Sequence, residues 1–265
     1  MAGRIRIDRH LAESGLSESR EKAKREILSG WVKVDGETVR DPSREVAGTE
    51  TITVERPGGL FVSRGGEKLS KALEYFSIDL SGRVCADLGA STGGFTDCML
   101  SKGAVKVYAV DVGYGQLDYR LRSDSRVVVK ERTNARTITK EMFPDKVSFV
   151  SSDLSFISFT KVYPAIASVF GRVEGVALIK PQFEAESSEH KKGVVVKSEN
   201  HVRIVERTLE SLVKAGLVIR GLTFSPITGP KGNIEFLLHY SAGEGESSPI
   251  DVSAVVAEAH ASLGR

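Results

Sequence analysis

A glycine-rich turn follows the apolar run "VCADL" and leads into a helical pattern. The turn has the sequence "GASTGGF", with Gly89, Gly93 and Gly94 as its glycines, and Asp87 lies just ahead of it. Its spacing departs from G-x-G-x-x-G, the pattern that rests a pyrophosphate on a helix N-terminus. Backbone N–H groups from Ser91 onward can meet a carboxylate, while Asp87 can meet a cation. These residue types therefore suit a ligand with a zwitterionic amino-acid end.

A second acid, Asp111, ends the next strand-like run in "VYAVDVG". A carboxylate at this place can accept paired hydrogen bonds from the hydroxyl groups of a ribose. A ribose joined to an amino-acid end describes S-adenosyl-L-methionine, which is the cofactor that the sequence predicts. NAD is the alternative for Asp111 taken alone, and a tight connection that binds no ligand is the alternative for the glycine-rich turn.

The run "ALIKPQFE" places a lysine, Lys180, at the carboxyl end of a fully apolar strand. A charged amine there is costly unless it is paired or used. Burial disfavours the charged form of an amine, and a neutral amine could take the proton from a hydroxyl nucleophile. Asp153 ends the preceding strand in "VSSDLSF", next to the expected position of the cofactor's methyl group. A lysine that extends into solvent is the alternative interpretation of Lys180 alone.

Strand-like and helical patterns alternate from Phe61 onward, which predicts a mostly parallel sheet covered by helices on both faces. The last two strand candidates, "LVIRGLTFS" and "NIEFLLHYS", are joined by "PITGPKG" without a helix, which predicts an antiparallel terminal hairpin. This α/β order resembles the Rossmann-like architecture of class I methyltransferases. In such sheets the ligand lies beyond the carboxyl ends of the strands.

Residues 1–56 are predicted to form a small α+β domain with the order helix, helix, hairpin, strand. Ile7 and Leu11 share one helix face, and Ser17 is a candidate N-cap for the second helix. Asp35-Gly36, between alternating apolar residues, is a strong hairpin signal. We place a linker at 57–60 and the second domain at 61–265.

Basic residues cluster in the first domain although its net charge is zero. Arg4, Arg6 and Arg9 lead the first helix, and Arg20 and Lys24 share one face of the second. Such a stripe can pair with phosphates. A solvated helix face is the alternative interpretation on charge alone.

Two sets of motifs resemble known families. The pattern Ser17-x-Ser19-Arg20, Ala23, Ile27, Gly30-x-Val32-x-Val34-x-Gly36 resembles the S4-type RNA-binding domain. Lys68 in "SRGGEKL", Asp153, Lys180 and Glu235 in "GNIEFLL" resemble the Lys-Asp-Lys-Glu tetrad of FtsJ-type ribose 2′-O-methyltransferases. Together with "DLGASTGGFTDCML", these motifs resemble the TlyA (hemolysin A) family over residues 4 to about 240.

The resemblance implies S-adenosyl-L-methionine-dependent 2′-O-methylation of cytidines in ribosomal RNA of the small subunit, the large subunit or both. Lys180 would be the central catalytic residue, flanked by Lys68 and Asp153, with Glu235 orienting a lysine. The implied cofactor-binding residues are Asp87, Gly89, Ala90, Ser91, Gly93, Gly94, Phe95, Asp111 and Asn134. Asn134 could reach the adenine or be a turn residue. The implied RNA-binding residues are Arg4, Arg6, Arg20 and Lys24.

Composition excludes several other classes of protein. Two cysteines are too few for a disulfide framework, and no Cys/His cluster indicates a metal site. The charged N-terminus has no signal-peptide pattern, and no run approaches the ~18 apolar residues of a membrane helix. We therefore expect a cytoplasmic enzyme that acts on ribosomal RNA or ribosomal subunits without stable membrane association. A membrane-active hemolysin-like protein and a non-catalytic rRNA-binding factor are the alternatives, while "GASTGGF" disfavours a dehydrogenase.

Overall fold

The chain folds into two compact units, Met1–Gly59 and Leu60–Arg265. The computed structural model describes residues 4–28, 30–54, 61–186, 188–190, 192–243 and 245–264. The predicted linker at 57–60 lies outside the described residues, so the position of the domain boundary stays a prediction.

The first unit has a small apolar core between two helices and short strands. Its elements are β1 (Ile5–Arg6), α1 (Ile7–Glu13), α2 (Arg20–Leu28), β2 (Val32–Val34), β3 (Glu37–Val39), β4 (Glu45–Val46) and β5 (Ile52–Val54). β2 lies between β3 and β5 in an antiparallel sheet, and β1 pairs with β4. Ile7, Leu11, Ala23 and Ile27 are fully buried. The predicted order of helices, hairpin and strand is confirmed, and β1 and β4 add to it.

Local turn chemistry explains where two of these elements begin and end. Asp35 and Gly36 have φ of 50° and 86°, the left-handed backbone that a two-residue hairpin turn requires. The predicted cap at Ser17 is wrong: α2 begins at Arg20, and the hydroxyl of Ser19 accepts from the Lys22 N–H at 3.2 Å. Ser17 is instead buried, and its hydroxyl donates to the Ser19 carbonyl.

The second unit is a seven-stranded sheet covered by helices. Its elements are α3 (Gly65–Tyr75), β6 (Val84–Leu88), α4 (Gly94–Ser101), β7 (Lys106–Val110), α5 (Tyr119–Arg122), β8 (Val127–Lys130), β9 (Phe149–Ser152), α6 (Tyr163–Phe170), β10 (Val173–Ile179), α7 (Pro181–Glu184), α8 (Ser198–Lys214), β11 (Leu217–Phe224), β12 (Phe236–Ala242) and α9 (Val252–Ser262). The strand order is β11-β12-β10-β9-β6-β7-β8.

The sheet is mostly parallel, as the sequence predicts. β8, β7, β6, β9 and β10 run parallel, while β12 lies antiparallel between β10 and β11. β11 and β12 are joined without an α-helix, which confirms the predicted terminal hairpin. The amino end of β12 therefore lies at the same edge as the carboxyl ends of the parallel strands.

Both faces of this sheet are packed, so its central strands are apolar on both sides. One cluster of buried side chains includes Ala86 and Val150, and the other includes Cys85 and Phe149. Cys85 and Cys98 are free, and burial raises the pKa of each thiol to about 12, so neither is reactive. Among the described helices, none combines the length and apolarity needed to cross a bilayer.

Candidate active site

The register of the sheet brings three of the four predicted catalytic residues to one edge. Leu88 pairs with Ser152, so Asp153 leaves the sheet beside the glycine-rich turn. Ile179 pairs with Phe236 across the antiparallel strands, so Lys180 follows β10 where Glu235 enters β12. Lys68 comes from the first turn of α3.

The four side chains form a continuous series of alternating charges. Lys180 Nζ lies 2.6 Å from Asp153 Oδ1, and Lys68 Nζ lies 2.6 Å from Glu235 Oε2. Lys68 Nζ is also 3.9 Å from Asp153 Oδ2, which joins the two pairs. The structure thus brings all four residues together, as the resemblance implies.

Three of these charges are almost completely removed from water, while the exposed fraction of the Asp153 side chain is 21%. Glu235 is fully buried, and the exposed fractions of Lys180 and Lys68 are 7% and 8%. Buried charges are tolerated when each has an opposite partner, and two amines with two carboxylates balance here. Lys180 also donates to the Ser155 hydroxyl at 3.2 Å.

Gly229 makes room for the Glu235 carboxylate. A Cβ on Gly229 would lie 2.2 Å from Glu235 Oε1 and 2.7 Å from its carboxyl carbon, so any larger residue would displace the carboxylate. Among the described residues, Glu235 Oε1 has no hydrogen-bond partner. The carboxylate is therefore held through its other oxygen, which accepts from Lys68.

The glycine-rich turn packs directly against Asp153. Gly89 has φ of 88°, and a Cβ there would lie 2.4 Å from the Asp153 carbonyl oxygen. The N–H groups of Gly89 and Ala90 donate to the Val110 carbonyl at 2.8 and 3.1 Å. The predicted cofactor turn and the four charged residues therefore form one continuous structure.

Gly93 and Gly94 bring two helices close together. Gly93 is the left-handed residue before α4, and a Cβ on it would lie 2.3 Å from Leu121. A Cβ on Gly94 would lie 2.3 Å from the Ser63 hydroxyl and 2.9 Å from the Gly66 nitrogen. This contact sets α4 against the start of α3, which carries Lys68. The neighbouring Phe95 is buried in the core, so a cofactor there would meet its backbone.

Asp111 organises the end of β7. Its Oδ2 accepts from the Ser91 N–H at 2.7 Å, and its Oδ1 accepts from the Gly113 N–H at 2.6 Å. Asp111 lines a small cleft with Ala90, Ser91 and Gln116. A carboxylate has about four acceptor positions, so two remain for ligand hydroxyl groups.

Asn134 begins a short 3₁₀ turn. Its side-chain oxygen accepts from the Arg136 N–H at 3.0 Å, the turn role that the sequence left open. Contact of its amide nitrogen with an adenine stays a prediction.

Asp87 lies beneath the turn and is fully buried. Its carboxylate accepts from the Thr96 and Ser151 hydroxyl groups at 2.7 and 3.0 Å. Burial, together with the charge of Asp153, raises the pKa of Asp87 to about 7, although the hydroxyl donors oppose this shift. Sequence analysis did not identify Thr96 and Ser151, which lie nine and 64 residues from Asp87.

Two of the predicted RNA-binding residues also support the core of the first unit. Arg6 and Arg20 both donate to Asp8 at 3.1 Å, and Asp8 is fully buried. Although burial opposes its charge, these hydrogen bonds hold the pKa of Asp8 below its usual value. Lys24 pairs at the surface with the exposed Glu21, and Arg4 is exposed.

The polar segment after α7 contains an anchor that its composition does not indicate. Glu189 is buried and accepts from Arg203 at 2.9 Å and from Arg207 at 2.8 Å, both on α8. The hydrogen bonds from Arg207, opposed by burial, lower the pKa of Glu189 to about 2. The segment is thereby fixed to α8 at this point. No group of three His, Cys, Asp or Glu side chains suited to a metal occurs in the described part of the chain.

Each of the two units matches a known protein family. Residues 61–242 match the model of the FtsJ-like methyltransferases, and residues 5–52 match the S4 domain. Hemolysin A of Brachyspira hyodysenteriae is 45% identical over 239 residues, covering 89% of this chain and 99% of that protein. The 16S/23S rRNA (cytidine-2′-O)-methyltransferase TlyA of Mycobacterium tuberculosis is 44% identical over 241 residues, 90% of each protein.

Solved structures agree with this placement. A structure described as that of a hemolysin from Streptococcus thermophilus is 39% identical, covers 100% of this chain and 98% of its own, and has a TM-score of 0.79. An S-adenosylmethionine-dependent methyltransferase from Listeria monocytogenes shares the fold alone, at 16% identity and a TM-score of 0.51 over 68% of this chain and 98% of its own. The resemblance drawn from the motifs is confirmed.

Asp87 gives the stability of the protein a specific dependence on pH. Its folded-state pKa of about 7 lies above the ordinary value of 3.8, so the folded protein keeps a proton that the unfolded chain releases. The contribution of Asp87 to the free energy of unfolding therefore falls as pH rises from about 4 to about 7. We expect Asp87→Asn to remove this part of the slope, as measured by urea unfolding at several pH values. A slope that is identical in the two proteins would contradict the assignment.

Proposed function

Because the chain belongs to the FtsJ-like methyltransferase family, we propose that it transfers a methyl group from S-adenosyl-L-methionine to the 2′-hydroxyl of cytidines in ribosomal RNA. The observation that carries this proposal is the convergence of Lys68, Asp153, Lys180 and Glu235 beside the glycine-rich turn. The name of the Mycobacterium tuberculosis relative supports the choice of substrate. A ribosomal RNA substrate would place the enzyme in the cytoplasm.

The residues of the turn fit the proposed cofactor. Gly89 and Gly93 let the turn pack closely against Asp153 and Leu121, and Asp111 has acceptor positions for the ribose hydroxyl groups. Asp87, fully buried beneath the turn, would act on the cationic end of the cofactor through the field of its charge in the ionised form. S-adenosyl-L-methionine, when bound, supplies a methyl group activated by a sulfonium.

Lys180 is the residue that we assign to take the proton of the 2′-hydroxyl, a step that requires its amine first to release its own proton to solvent. A ribose hydroxyl is a weak nucleophile until a base removes its proton, and general-base catalysis contributes roughly 10²–10⁴-fold. Asp153 orients the Lys180 amine through their 2.6 Å contact. Lys68, paired with Glu235, lies on the other oxygen of Asp153 and fixes that carboxylate. The burial of the group keeps water away from the reacting atoms.

An aromatic pair beside Lys180, in which Phe156 is exposed and Phe183 is half-buried, supports a nucleic-acid substrate. Phe156 is 91% exposed with φ of 64°, a strained backbone for a bulky residue. Its ring lies 5.3 Å from that of Phe183, which is 5.9 Å from Lys180 Nζ. Stacking of an unpaired base on an aromatic ring contributes about 1–3 kcal/mol. We assign this pair to hold the base of the target nucleotide.

Substitution of Lys180 tests the proposed function directly. We expect Lys180→Ala and Lys180→Arg each to lower methyl transfer by at least ~10²-fold while the cofactor Kd changes less than about threefold. Arg keeps the positive charge but cannot be deprotonated in proteins. Transfer of labelled methyl to ribosomal subunits, with primer-extension mapping of 2′-O-methyl groups, measures the effect. Lys140→Ala, an exposed lysine, is the matched control.

The outcomes separate the alternatives. An active Lys180→Arg enzyme would overturn the assignment of Lys180 as the base. A wild-type protein that binds subunits without consuming the cofactor would indicate a non-catalytic rRNA-binding factor. Leakage of liposomes that survives Lys180→Ala would support the membrane-active alternative.

The first unit gives a second prediction, because its basic residues differ in their contacts. We expect Lys24→Ala to weaken RNA binding and to reduce the slope of log K against log salt by about 1, with Tm unchanged. Arg20→Ala should also lower Tm, because it removes a partner of the buried Asp8. Filter binding at several salt concentrations and thermal unfolding measure both effects. Equal effects of the two variants on Tm would contradict the assignment of a structural role to Arg20 and not to Lys24.

A further inference from the structure

Asn233 connects two segments that border the four charged residues. It lies in the loop between β11 and β12, two residues before Glu235, and is 3% exposed. Its Nδ2 donates to the Gly193 carbonyl at 3.1 Å, and its Oδ1 accepts from the Val195 N–H at 3.2 Å. The side-chain amide of Asn233 therefore pairs with the N–H of Val195 and with the carbonyl of Gly193, about 40 residues away in the chain.

The segment that Asn233 binds, residues 192–197, leads from the region after Lys180 into α8. Val195 in this segment is almost completely buried. Its N–H would be left without this acceptor in the interior if the side chain of Asn233 were removed, and a buried unpaired N–H is strongly unfavourable. The contact thus fixes the segment against the loop that carries Glu235.

The same loop holds Glu235 from within. The Gly229 N–H donates to the Asn233 carbonyl at 2.8 Å, and Gly229 packs against the Glu235 carboxylate. The Ser225 N–H donates to the Glu235 carbonyl, also at 2.8 Å. The backbone of Asn233 therefore belongs to the loop that supports Glu235. Its side chain ties that loop to the segment of residues 192–197.

We propose that Asn233 is a positioning residue for methyl transfer: it holds Glu235, and through Glu235 the Lys68 amine, in place beside Asp153. The kinetic part of this inference rests on the proposed function. An amide suits the position, because it offers a donor to Gly193 and an acceptor to Val195 on two separate atoms of one short side chain. Aspartate keeps the acceptor and loses the donor.

A double-mutant cycle between Asn233→Ala and Glu235→Gln tests the inference. We expect Asn233→Ala to lower kcat at least tenfold with the cofactor KM changed less than threefold. In the Glu235→Gln background, measured in single turnovers, Asn233→Ala should add little, because both changes disturb the same support. Asn233→Asp should show the same coupling and serves if the alanine variant does not fold. Losses that multiply would overturn the inference.

Asn200→Ala is the matched control. Its side chain also makes two hydrogen bonds, donating to the Glu189 carbonyl at 2.9 Å and accepting from Arg203 at 3.1 Å. It lies on α8 and has no contact with the loop of Glu235 in these hydrogen bonds. Its effect on kcat should multiply with that of Glu235→Gln, and coupling as strong as that of Asn233 would overturn the inference.

A second measurement does not require methyl transfer. Acetylation of the Lys68 amine by an N-hydroxysuccinimide ester, followed by mass spectrometry, reports how well Glu235 holds it. We expect Asn233→Ala and Asn233→Asp to accelerate labelling several-fold and Asn200→Ala to leave it unchanged. If labelling is faster in the Asn233 variants and the wild-type protein itself transfers no methyl group, the proposed function is rejected while the role of Asn233 in positioning Lys68 is supported. Unchanged labelling would reject the inference even if transfer is normal.

Discussion

A series of ion pairs, Lys180 to Asp153 and Lys68 to Glu235, joins the elements that meet at the edge of the sheet where the parallel strands end. Lys68, Lys180 and Glu235 are buried and Asp153 is half-buried, so replacing one residue leaves the charge of its partner uncompensated where little water reaches it. The pairs come from four separate parts of the chain, and only the sheet register brings them together. The sheet register therefore determines both the fold at this edge and the arrangement of its charged groups.

The glycine-rich turn is held at the same edge, because its glycines are closely packed against neighbouring residues. Gly89 packs on the Asp153 carbonyl, and Gly94 packs on the start of the helix that carries Lys68. Asp87 supports the turn from below through Thr96 and Ser151. A ligand held by the turn is consequently fixed relative to the four charged side chains. Such pre-arranged geometry is what a displacement reaction requires, since alignment alone can contribute roughly 7–11 kcal/mol.

Much of this arrangement could be predicted from the sequence, because the strands and the residues that follow them are recognisable from short stretches of the chain. The apolar composition of runs such as "VCADL" and "ALIK" predicts buried strands. Because the carboxyl ends of parallel strands meet at one edge of the sheet, the location of Asp153 and Lys180 could be predicted. The pairing of Arg20 with Asp8, and the contacts of Glu189 and Asn233, join residues that are 12 to 40 positions apart in the chain. No periodicity reports such contacts. The cap at Ser19 was missed because Ser17 and Ser19 offer the same hydroxyl two residues apart.

The turn and the ion pairs are inferred to serve one reaction centre. A crystal structure of the full chain with S-adenosylhomocysteine, the product of the proposed transfer, would show whether they do. We expect ribose hydroxyl groups on Asp111 and a sulfur that faces Lys180 across the edge next to Gly89. A product bound elsewhere, or with its sulfur directed away from Lys180, would contradict it.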